Sequence, residues 1–171
     1  MKINHFFLLL FVAAFVGCDN SFDPEEEFDL EILPGYVAFD APGNDAFMDD
    51  VAVSESDGST DLVIETPTGT LSDVTINYSF GGSAVFGEDF SVAGASASGG
   101  TIVLVTKPSD IFFNDRVDLT VDLLTDGVVD GEKTLTITLE SASNAEGDVA
   151  VGRGGLDFLK TATVVIADVD E

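Results

Sequence analysis

Asp126-Gly127-Val128-Val129-Asp130-Gly131-Glu132 runs directly into Lys133-Thr134-Leu135-Thr136-Ile137-Thr138-Leu139, and this stretch decides the fold. Asp-Gly is a turn signal, because glycine tolerates positive φ and an aspartate side chain can bond its own backbone. After the turn, Leu135, Ile137 and Leu139 alternate with Thr134, Thr136 and Thr138. That is the period of a strand with one face in a core and one in water. Upstream, Val117, Leu119, Val121 and Leu123 alternate with Asp118, Thr120 and Asp122 in the same way. Two strands therefore meet at a turn that carries three carboxylates, Asp126, Asp130 and Glu132. Carboxylates this crowded repel one another unless a cation sits among them.

Outward from this pair, the same two signals recur. Towards the C-terminus, Ser141 to Gly155 is rich in Gly, Ala and Asn and reads as a loop, with Arg153 between glycines and paired to an acidic neighbour. Thr161 to Ile166 is the last strand, and the sequence closes on Asp168-Val169-Asp170-Glu171. Towards the N-terminus, Lys107 to Asp115 is an excursion whose Phe112 and Phe113 fold back over the core, and Thr101 to Val105 is a buried strand. Ala93 to Gly100 is a Gly/Ser loop. Val74, Ile76, Tyr78 and Phe80 alternate with polar residues until Gly81-Gly82. Leu62-Val63-Ile64, Val51-Ala52-Val53 and Tyr36-Val37-Ala38-Phe39 are shorter strands, separated by turns at Asp57-Gly58 and Pro42 to Asp45. No segment keeps a helical period, and no repeat is visible. Short strands punctuated by turn residues predict an antiparallel β-sandwich.

Composition narrows the function. The chain has 171 residues, 45% of them apolar, so it can build one core. Against that stand 32 acidic and 6 basic residues, a net charge of −26. A surface this negative repels nucleic acid and anionic headgroups, and leaves cations and basic partners. The first residues read as an export signal, with Lys2 ahead of the apolar run Phe6 to Val16. The lone cysteine, Cys18, follows Phe15-Val16-Gly17, which resembles the lipobox of a bacterial lipoprotein precursor, with Phe15 where Leu is usual. The resemblance implies a signal peptide over 1–17, acylation of Cys18 and anchorage to the bacterial outer membrane. Residues 18–34 then form an acidic tether carrying Glu25-Glu26-Glu27, similar to the surface-export signals of some Gram-negative lipoproteins, and 35–171 form the domain.

Cleavage before Cys18 removes Lys2 and the single histidine, His5, leaving five basic residues against 32 acidic ones and a net charge of −27. A mature chain without histidine or a free thiol cannot build a His/Cys zinc site or a Ser-His-Asp or Cys-His arrangement. Paired carboxylates can hydrolyse glycosides across a cleft, but there is no Trp platform and no set of long loops to build one. The reading is a non-catalytic one. Gly152-Arg153-Gly154-Gly155 lacks the spacing and the helix of a phosphate loop.

Four acidic pieces occur in order: Glu55 in Val53-Ser54-Glu55-Ser56-Asp57-Gly58, Asp89 in Gly87-Glu88-Asp89-Phe90, the Asp126 to Leu139 stretch, and Ile166-Ala167-Asp168-Val169-Asp170. From about Tyr36 to Glu171 this order resembles a Calx-β domain. The resemblance implies an immunoglobulin-like sandwich of about seven strands, whose carboxylates at one end gather around Ca²⁺ in the calcium-binding members. The matching positions are Glu55, Asp89, Asp126, Asp130, Asp168 and Asp170, with Asp57, Glu132 and Glu171 close enough to assist. Ca²⁺ takes six to eight oxygens, largely from carboxylates and carbonyls, so this donor type suits it. Thr125, Gly127, Lys133 and Val169 depart from the pattern, and Lys133 would repel a cation if it pointed inward. One ion, or two, is the expectation. The functional expectation is a calcium-binding cell-surface lipoprotein domain with a structural or adhesive role. The alternative is a glycan- or protein-binding accessory lipoprotein of an outer-membrane uptake complex, in which calcium is structural or absent.

Overall fold

Alternation becomes burial. The computed structural model describes residues 35–41, 47–67, 70–107, 115–125 and 127–169, all within the unit Pro34–Glu171. Counting strands in chain order, β8 (Lys133–Asn144) buries Leu135, Ile137 and Leu139 completely and leaves Thr134, Thr136 and Thr138 half-buried on the opposite side. β-branched threonine suits that second face, because its restricted side chain loses little on an extended backbone.

One sheet runs in the order β2 (Val51–Ser54), β10 (Thr161–Ala167), β8, β4 (Val74–Gly82), β6 (Gly99–Leu104). The other runs β1 (Tyr36–Phe39), β3 (Ser59–Thr66), β7 (Asp115–Leu123), β5 (Phe90–Ser91). β9 (Gly147–Val151) pairs antiparallel with the end of β8 and parallel with β1, so the sheets are continuous along one edge. Their inner faces close one core, to which Leu62, Ile64, Leu119 and Val121 come from one side and Ile76, Ile137 and Val164 from the other. Phe90 completes it, edge-on to both Phe80 and Phe86 at centroid distances of 5.1 and 5.6 Å, the geometry that aromatic quadrupoles favour. The fold is the immunoglobulin-like β-sandwich expected from the sequence.

Ten strands are present among the described residues, and the excess over seven comes from short segments such as β5, with two residues, and β9, with five. Pairing is antiparallel except for β2 with β10 and β1 with β9. Two local expectations are corrected. Ser141 to Val151 is a hairpin rather than a loop, because β8 continues to Asn144 and β9 returns beside it. Thr101 to Val105 is not a buried strand: β6 pairs only with β4 among the described residues, and Val103 and Val105 are exposed. The excursion after Lys107 has its ends stapled, since Asp115 accepts from the Lys107 N–H at 2.9 Å and the Thr106 hydroxyl at 3.0 Å. Phe112, Phe113, the turn at 42–45 and the leader lie outside the described residues.

The parallel pairing of β2 and β10 places the site. Ser54 lies opposite Ala167, so Glu55 and Asp168 leave neighbouring strands at the same end of the sheet. β8 starts there as well, with Lys133 opposite Ile166.

Candidate metal centre

Glu55 opens a single 3₁₀ turn, Glu55–Asp57, whose geometry is set by a capping box. The Asp57 carboxylate accepts from the Ser54 N–H at 2.7 Å, and the Ser54 hydroxyl accepts from the Ser56 N–H at 3.3 Å. The Ser54-x-x-Asp57 spacing is legible in the sequence as this motif. Asp57 is therefore occupied in the cap, while Glu55 turns inward and is only 3% exposed.

Asp89 is equally buried, at 3%. Its carboxylate accepts from the Val85 N–H, and its own N–H donates to the Val85 carbonyl at 2.9 Å, closing a tight turn ahead of β5. Its carbonyl accepts from Leu124 N–H at 2.9 Å, and the Gly58 carbonyl accepts from Leu123 N–H at 2.9 Å. The end of β7 is thus tied to both acidic turns, and the loop that follows starts beside them.

That loop delivers Asp130. One oxygen each from Glu55, Asp89 and Asp130 lies within 4.8 Å of the other two. Asp168 holds the loop in place: one of its oxygens accepts from the N–H groups of both Asp130 and Gly131 at 2.8 Å. Lys133, at the start of β8, reaches back so that its ammonium lies 2.6 Å from Asp130 Oδ2. Of the six residues expected at the centre, then, Glu55, Asp89 and Asp130 converge, and Asp168 supports the Asp130 backbone. Asp126 and Asp170 lie outside the described residues, as does Cys18. Glu132 is exposed and is not among the converging oxygens. Lys133 does turn to the cluster, the orientation in which it would repel a cation.

The donor set fits a hard divalent cation. Every converging side-chain donor is a carboxylate oxygen, two of the three are buried, and they come from segments far apart in the chain, which only the strand ends bring together. Burying like charges this close costs several kcal/mol per ion unless a counter-charge is present, and the Lys133 ammonium at Asp130 is one such charge.

No family model and no curated protein matches the sequence. Solved structures do match the fold. The apo form of the Calx CBD1 domain superposes with a TM-score of 0.55 at 20% identity, over 80% of this chain and 99% of that one. The Calx CBD2 domain gives 0.53 at 14% identity, over 80% and 88%. The calcium binding domain CBD12 of CALX1.1 gives 0.50 at 21% identity, over 71% of this chain and 42% of the other, so the chain spans less than half of that structure. At these identities the likeness is one of fold: the chain has the β-sandwich of the Calx-β domains.

Proposed function

We propose that this domain is a non-catalytic calcium module, with the ion held between Glu55, Asp89 and Asp130 at one end of the sandwich. The observation that carries the reading is the convergence of three carboxylate oxygens within 4.8 Å, two of them on buried residues. The likeness in fold to a calcium binding domain supports it. Asp126, in the same acidic stretch as Asp130, and Asp170, beside the supporting Asp168, are proposed as further ligands. The rest of the reading comes from the sequence: residues 1–17 as signal peptide, Cys18 as the lipidated residue, 18–34 as tether and 35–171 as the domain. The protein is then exported, anchored by lipid to a bacterial outer membrane, and structural or adhesive at the cell surface.

Extracellular calcium modules bind with dissociation constants on the order of 10⁻⁴ to 10⁻³ M. At ten times the dissociation constant, binding stabilises by about 1.4 kcal/mol, and at a hundred times by about 2.7. The melting temperature of the purified chain is therefore expected to rise in millimolar calcium, and to rise less in sodium of equal ionic strength, which only screens. Asp130→Asn is expected to remove most of the calcium-specific increment. Equal shifts in calcium and sodium would show that the carboxylates are only an acidic surface. For the anchor, Cys18→Ala is expected to release an unprocessed or soluble form. Unchanged maturation and membrane retention of that variant would refute lipidation.

A further inference from the structure

The two outer faces of the sandwich differ in charge far more than the acidity of the chain accounts for. On the face of β3 and β7, the outward pairs are Ser59 with Asp122, Asp61 with Thr120, Val63 with Asp118 and Glu65 with Arg116, so five of eight positions are charged. The outer face of β2–β10–β8–β4–β6 is different. Thr161, Thr138 and Ser79 form one row across it, and Thr163, Thr136 and Gly81 the next. Val165 and Thr134 follow, with Ala52 beside them. Farther along, Ser141, Asn77 and Thr101 form a row, then Ser143, Thr75 and Val103. Among the outward positions of these five strands Glu140, at the bulge in β8, is the one charge, and Asp148 of β9, opposite Ser143, bounds one corner.

Threonine on an exposed strand is explained by β-propensity alone. The near absence of carboxylates is not, because the opposite face is built from strands too and carries them. Several of these polar groups are also held in place, the Ser79 hydroxyl by donating to the Glu140 carboxylate. Thr138 and Thr161 hydroxyls lie 3.1 Å apart, the Asn77 amide donates to Ser141 at 3.0 Å, and the Thr101 hydroxyl donates to the Asn77 carbonyl oxygen at 2.8 Å. Strands about 4.8 Å apart, with like-facing residues about 6.8 Å apart along each, turn this face into a grid of hydroxyls interleaved with methyl groups.

We propose that this face docks a neutral polysaccharide. Each threonine offers a hydroxyl to sugar hydroxyls and a methyl to the C–H face of a ring, and Val103 and Val165 add apolar contact. The occupant follows from charge. A second copy would bring −26 against −26, and an anionic polymer would be repelled by the rest of the surface. An uncharged polyhydroxylated chain meets neither penalty. The face is distinct from the acidic strand ends, so docking does not require the calcium site.

The test is co-sedimentation of the full chain, in mild detergent and EDTA, with microcrystalline cellulose, insoluble β-1,3-glucan and granular starch, with covalently cross-linked carboxymethyl-cellulose as the anionic control. Retention on at least one neutral glycan and none on carboxymethyl-cellulose is expected. Thr136→Lys, at the centre of the face, and Thr161→Lys, at its exposed margin, each leave a charge without partners on docking. Each is expected to weaken retention at least about tenfold. Asp118→Lys on the other face should retain wild-type binding. Thr161→Lys, with a melting curve like wild type, guards against loss of fold. No retention on any neutral glycan, or equal retention by both face variants and wild type, overturns the proposal. So does a dimer by sedimentation velocity that Thr136→Lys dissociates, which would assign the face to a second copy. Loss of calcium-induced stabilisation with retention intact would instead fail the calcium reading alone.

Discussion

Lys133 stands where the resemblance expects another acid, and its ammonium lies 2.6 Å from Asp130 Oδ2 with both side chains partly shielded from water. An ion arriving between Glu55, Asp89 and Asp130 must therefore compete with a cation already tethered to one of its ligands. A pair about 20–30% exposed is worth on the order of 0.2–1 kcal/mol. Lys133→Met is expected to lower stability in EDTA by about that amount, because the cluster loses a counter-charge. In saturating calcium the same variant should recover to the wild-type melting temperature or above it, so its calcium increment is the larger. Thermal melts with and without calcium measure both quantities, and an increment equal to that of wild type would mean that the lysine does not compete. Asp130 was legible in the sequence from the acidic turn stretch it belongs to, whereas Glu55 and Asp89 were legible only through the resemblance to a Calx-β domain. The Ser54-x-x-Asp57 spacing signals the cap that takes Asp57, but the commitment of Asp168 to the backbone of the Asp130 loop depends on which neighbouring N–H groups lack partners. Residue type alone does not carry that information.

At the scale of elements, alternation was legible wherever it was unbroken, as in β7, β4 and the first half of β8. It failed at Glu140. The pairing of β8 with β4 skips that residue between Leu139 and Ser141, so the buried positions move from odd to even numbers and Ala142, not Ser143, faces the core. A change of phase among small residues reads as a loop, which is why the β8–β9 hairpin was missed. The apolar run of β6 was legible as a strand but not as an edge, because edge and centre differ in partners rather than in pattern. The turn from β4 to the acidic end of the sandwich rests on Gly82, with φ near +97° and no room for a side chain: a Cβ there would lie 2.0 Å from the Thr134 carbonyl oxygen. Gly58 also has positive φ, +82°, but has open space around its Cβ position. Gly58→Ala should therefore cost backbone strain alone, about 1–2 kcal/mol, because φ 82° with ψ −47° is a γ-turn-like conformation that a side chain disfavours. Gly82→Ala adds a backbone clash and should cost about 2–3 kcal/mol. Urea midpoints of the two variants measure the difference, and equal midpoints would mean that the β4–β8 strand ends yield without cost.

For the whole molecule, the apolar fraction announced a core and the strand count a sandwich, but nothing local announced that β9 would join the two sheets. The charge acts at this scale too. With 32 acidic residues against 6 basic ones, the ion pairs among the described residues, such as Arg116 with Asp40 at 3.2 Å and with Glu65 at 3.0 Å, involve few of the acids. Salt has opposite effects on the two kinds of interaction. It weakens exposed ion pairs, each worth about 0–1 kcal/mol, and it relieves the mutual repulsion of all the remaining carboxylates. Raising ionic strength from 0.01 to 0.1 M shortens the screening length from about 30 Å to about 10 Å, from roughly the size of the domain to the spacing of near neighbours. Repulsion summed over the surface is then cut much more than the few contacts at 3 Å. In EDTA, the melting temperature is expected to climb steeply with sodium chloride over that range and to flatten above it. Asp130→Asn should climb in parallel, because one charge among so many barely alters the sum. A melting temperature that stays level or falls with salt would show that attraction within ion pairs, not repulsion, dominates the electrostatics of the folded state.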